Sequence, residues 1–103
     1  MYSITVYVPE ASLEAVKQAM FAAGAGKAGG YDQACWQVLG QGQFRPLAGS
    51  RPVVGVLNAL SCVSEYRLEM ICEDAALDVA MTAMRAAHPY EQPAYSVVRM
   101  ESV

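Results

Sequence analysis

Two short stretches hold most of the residues that could do chemistry. HPYEQP, residues 88–93, carries the chain's single histidine with Tyr90 and Glu91 beside it. His88 and Glu91 could act as an acid/base pair or supply two ligands to a divalent metal. Two ligands do not complete a metal site, and no H-x-x-x-H or equivalent spacing adds a third. GQGQFRP, residues 40–46, combines flexible glycines with Phe44 and Arg45, whose guanidinium suits a carboxylate or a phosphate. The alternative duty of His88 and Glu91 is structural, fixing a turn between Pro89 and Pro93. Cys35, Cys62 and Cys72 fall within extended stretches, where buried thiols are usually inert. No serine elbow is present and no catalytic constellation is complete, so no catalytic residue is assigned and an enzyme is the least supported class.

A third stretch, GAGKAGGYD at residues 24–32, spells G-x-G-x-x-G. That motif binds a dinucleotide only when it follows a strand and opens a helix, whose N-terminal amides face the pyrophosphate. Here the preceding residues, EASLEAVKQAMFAA at 10–23, are helix formers with Leu13, Val16, Met20 and Ala23 on one face. The glycines therefore meet a helix C-terminus, with its carbonyls and the negative end of its dipole. Gly24 reads as the cap of that helix and the stretch as a turn, not a nucleotide loop.

The remaining elements follow from periodicity. YSITVYV at 2–8 alternates β-branched and polar residues and reads as a strand, closed by Pro9. YDQACWQVL at 31–39 reads as a second strand. Residues 40–60, with four glycines and two prolines, read as a long excursion with a short extended piece at 52–57. CVSEYRLEMIC at 62–72 alternates, setting Cys62, Tyr66, Leu68, Met70 and Cys72 against Glu65, Arg67 and Glu69. Asp74 is placed to cap a helix over 75–87, whose face of Leu77, Ala80, Met81 and Met84 is core filler. AYSVVRM at 94–100 is the last strand. The order β-α-β-β-α-β predicts an α+β, ferredoxin-like sandwich: an antiparallel sheet with two helices on one face, a single domain over 1–103. This topology sends the 24–30 loop to one end of the sheet. It sends the 40–60 and 88–93 loops to the other, so Phe44, Arg45, His88, Tyr90 and Glu91 are the expected ligand contacts.

Composition narrows the setting. The 103 residues are 54% apolar and only 17% charged, more apolar than so short a chain needs for its own core, which predicts self-association. The net charge is −3 and no Lys/Arg cluster exists, which argues against nucleic acid. There is no signal peptide and no 18-residue apolar run for a membrane. Three cysteines without C-x-x-C spacing predict reduced thiols and a cytoplasmic protein.

FAAGAGKAGGYDQACW, GQGQFRP, EYRLEMI and HPYEQPAY together resemble the PII-like insert domain of YqfO-type proteins, in the NGG-one-interacting-factor-three-like superfamily. The likeness covers residues 2–100 and is that of a free-standing copy of the insert. It implies a fold akin to PII and CutA and a homo-oligomer, with a trimer favoured and a dimer the alternative. It also sets residues 40–60 in the place of the PII T-loop and 88–93 in that of a second ligand loop. The dinuclear metal ligands of that superfamily belong to flanking domains and have no counterpart here. The family usually spells its last motif with two acidic residues, and the second is Gln92 here. The expectation is a non-enzymatic PII/CutA-like module that binds a small ligand or a protein partner through these loops. Its alternatives are a divalent metal-binding protein using His88 and Glu91 and a purely structural interaction domain.

Overall fold

Alternation in YSITVYVP makes β1 (Tyr2–Pro9) a strand whose Ile4, Val6 and Val8 are fully buried on one face. The computed structural model describes all residues, Met1–Val103. After β1 come α1 (Leu13–Ala22), β2 (Trp36–Phe44), β3 (Ser61–Cys72), α2 (Leu77–Ala87) and β4 (Tyr95–Arg99). The sheet runs β2-β3-β1-β4 with every neighbouring pair antiparallel, the predicted ferredoxin-like order. Two apolar helix faces, Leu13, Val16 and Met20 of α1 and Ala80, Met81 and Met84 of α2, close over Leu68, Met70 and Cys72 of β3. Each Leu, Val or Met among them, fully buried, contributes about 1.5–3 kcal/mol.

Each helix begins with one 3₁₀ turn, Glu10–Ser12 before α1 and Asp74–Ala76 before α2. Asp74 does not cap α2, because neither helix start has a side-chain cap bond. Its carboxylate instead pairs with the N-terminal amine and with Arg99. At the far end of α1 the Gly24 amide reaches Phe21 O at 3.0 Å and the Ala25 amide reaches Met20 O at 3.1 Å. With Gly24 at φ +105° and Ala25 buried, this is a Schellman stop, as GAGKAGG predicts. The Gly26 amide then donates to Ile71 O at 2.8 Å, which places this loop at the end of the sheet where β3 finishes.

β2 starts later and runs further than YDQACWQVL predicts. Ala28 and Tyr31 exchange two backbone bonds around a Gly29–Gly30 turn, and Gln33 has φ +53°, so the chain becomes regularly extended only at Trp36. Gly40 and Gly42, expected to end the strand, stay in the ladder opposite Glu65 and Val63. Residues 52–57 form no strand, since Gly55 and Asn58 turn the chain at positive φ. Cys62 is exposed rather than core-facing, because β3 is covered by β1 only from Glu65 onward.

The face away from the helices is open. Register puts Trp36, Val38, Arg67, Glu69 and Val98 on it, with Trp36 62% and Val98 58% exposed. The two chain ends lie side by side, the Met100 amide donating to Met1 O at 3.0 Å.

Candidate functional site

The two loops expected to meet do so at the end of the sheet marked by Pro9. Arg51 donates its backbone N–H to Glu91 Oε2 at 3.0 Å and ties residues 45–60 to residues 88–94. Beneath them is a cleft of about 510 Å³. Tyr7 of β1, Phe44 of β2 and Glu65 of β3 form its floor; Pro46, Gly49, Ser50 and Pro52–Val54 wall one side, and Tyr90–Gln92 with Ala94 the other.

His88 holds this end together. It follows α2, its amide capping Met84 O at 2.9 Å, and it is only 6% exposed. Nε2 lies 2.8 Å from Tyr7 O and therefore donates, while Nδ1 accepts the Tyr90 N–H at 3.1 Å. This assigns a neutral ring with its proton on Nε2. Burial holds its pKa below the usual 6.5, the Tyr7 bond opposing the shift. The Tyr7 amide reaches Ala94 O at 3.0 Å, so both ends of the loop are stitched to β1. Neither imidazole nitrogen is free for a metal or a proton transfer in this arrangement. His88 is outside the cleft lining.

Of the other expected contacts, Phe44, Tyr90 and Glu91 line the cleft. Arg45 does not; it is exposed beyond the end of β2, where the chain leaves the sheet. An anion clamp at Arg45 is thus not part of the cleft. Two floor residues escaped the sequence reading, Tyr7 and Glu65. Their signal was position: both fall on the polar phase of strands that end beside the two loops. Glu65 is half-buried without an ion pair or hydrogen bond, and burial pushes its pKa up. Burial raises the Tyr90 phenol as well, helped by the charge of Glu65. No group of three or more His, Cys, Asp or Glu is placed to hold a metal ion.

No family model matches the sequence. Among curated proteins the chain is 45% identical over 92 residues to a GTP cyclohydrolase 1 type 2 homolog of Mycobacterium leprae, covering 89% of this chain and 24% of that protein. The homolog of Bacillus subtilis is 37% identical over 98 residues, covering 95% and 26%. The chain thus spans about a quarter of the length of the curated relatives it matches. Among solved structures, a Bacillus cereus protein related to NIF3 superposes with TM-score 0.85 at 33% identity, over 98% of this chain and 26% of that one. The periplasmic divalent cation tolerance protein CutA of Archaeoglobus fulgidus gives 0.70 at 11% identity, over 100% and 87%. GlnK of B. subtilis gives 0.63 at 13%, over 96% and 83%. The last two likenesses are of fold.

Proposed function

We propose that this chain, a PII-like domain of the YqfO and NIF3-related type, is a homo-oligomeric binding module that takes a small ligand between its 45–60 and 88–93 loops. The observation that carries this is the cleft itself: about 510 Å³, within the size range of small-molecule sites, with its two walls latched by the Glu91–Arg51 bond. The reading is non-enzymatic. The only imidazole is engaged at both nitrogens, and no cysteine lines the cleft, so neither a histidine base nor a thiol nucleophile faces it. The cyclohydrolase named in the longer relatives belongs to proteins of which this chain spans about a quarter. A metal site on His88 and Glu91 finds no support in this geometry, because whichever ring nitrogen bound the metal would first have to give up its backbone bond. Self-association is supported by the open sheet face, where Trp36, Val38 and Val98 present apolar surface. A cytoplasmic setting is supported by three free thiols.

A thermal-shift screen of amines, organic acids, nucleotides and divalent metals tests the reading. A ligand at a hundred times its Kd stabilises by about 2.7 kcal/mol, enough to move Tm by several degrees. The expected shift disappears in Phe44→Ala. Indifference to every class would leave a purely structural interaction domain.

A further inference from the structure

The charge of the cleft deepens this reading. Its lining holds two carboxylates, Glu65 and Glu91, and no Lys, Arg or His. Arg45 and Arg51, the cations nearest in sequence to the lining, are both exposed and neither lines it. Glu91 has one oxygen engaged by the Arg51 amide. Glu65 has no partner at all, yet it is half-buried at the base of the cleft. The backbone makes room for it there. A Cβ on Gly42 would lie 2.0 Å from Glu65 Oε1, so the carboxylate rests directly on the main chain of β2 where any side chain would expel it. Around it Tyr7, Phe44 and Tyr90 supply aromatic surface.

A carboxylate held away from water without a partner is costly, and the cost is relieved by an opposite charge with N–H donors. Aromatic walls add attraction for a cation and cover an apolar stem. An anionic ligand would meet two like charges and no compensating cation. We propose that the cleft binds a small organic cation, a primary ammonium or guanidinium carried on an apolar chain or ring, with Glu65 as its counter-ion and Phe44 and Tyr90 against its stem. This rests on the cleft being a ligand site at all.

Calorimetric titration with putrescine, agmatine and phenethylamine tests it, beside succinate, ATP and magnesium ions, on the wild-type protein and on Glu65→Gln and Gly42→Val. At least one amine binds, and Glu65→Gln weakens it roughly tenfold or more while leaving the circular dichroism intact and Tm no lower. Gly42→Val, which displaces the carboxylate without removing it, weakens the same amine. Binding of succinate, ATP or magnesium in the cleft, lost in Phe44→Ala, with no amine binding, overturns the cationic ligand and leaves the ligand site standing. Silence from every probe overturns both. Amine binding that ignores Glu65→Gln overturns the assigned counter-ion. So does a change of native mass in Glu65→Gln, which would mean that the carboxylate meets a neighbouring copy.

Discussion

His88 and Glu65 lie at the same end of the molecule and their burial has opposite consequences. His88 is a stitch: removing its ring in His88→Ala leaves Tyr7 O and the Tyr90 N–H without partners, and each such group costs about 1–3 kcal/mol. Chemical denaturation should show that loss. Its depressed pKa gives the pH sign. The folded protein holds the ring neutral and the unfolded chain takes up a proton near 6.5, so the stabilisation is present above that pH. It is lost as pH falls through the lower folded value, and a pH series of urea melts should be flatter on the acid side in the variant than in the wild type. Glu65 runs the other way. Its folded pKa is raised, so the unfolded chain gives up its proton first, and stability is lost as pH rises from the usual 4.5 through the folded value. Glu65→Gln is therefore expected to melt no lower than the wild type at pH 7, its relative advantage vanishing in acid. The sequence set His88 in a loop with chemistry beside it. What it could not show is a carbonyl 81 positions away, and in this fold that carbonyl engages the ring.

The helices and the central strands were legible because their periodicity is complete: Leu13, Val16 and Met20 mark one helix face, and Leu68, Met70 and Cys72 one strand face. The glycine stretch was legible for the same reason, since a helix that must stop needs a residue free to turn. Gly24→Ala should cost about 1–2 kcal/mol, read as a lower denaturant midpoint, because the added Cβ meets φ +105° and stands 3.3 Å from the Ala76 Cβ. β2 was misplaced because glycine in a strand looks like the end of one. Gly40 and Gly42 are held extended by their partners on β3, a tertiary effect that local propensity does not carry. The latch between the loops is also tertiary. Hydrogen exchange at the Arg51 amide should quicken in Glu91→Ala and stay slow in Glu91→Gln, whose carbonyl can still accept the bond.

At the scale of the molecule, only 17 of 103 residues are buried within one chain although 54% are apolar, so much of the apolar surface remains to be covered. Part of that surface lies on the open face of the sheet, at Trp36, Val38 and Val98, and part on the loop that carries Leu47, Val53, Val56 and Leu60. Light scattering should find the wild-type protein as an oligomer and Trp36→Glu or Val98→Asp shifted toward the monomer, since a charge there would have to be buried on assembly. Wild-type protein that runs as a monomer at all concentrations would refute this. Composition pointed to association from the start, while the face proposed for it became visible only once the register of β2 and β4 was known. A last consequence lies in the ends of the chain. Met1 and Met100 share a backbone bond, so the path through the six elements comes back to where it began and is nearly a closed circuit. Another polypeptide could leave its own fold, travel this circuit and re-enter at almost the same point, with only a short gap to bridge. By the same token the circuit could be sealed at those ends and reopened at the Gly29–Gly30 turn, giving a permuted chain that keeps every strand pairing and the cleft intact.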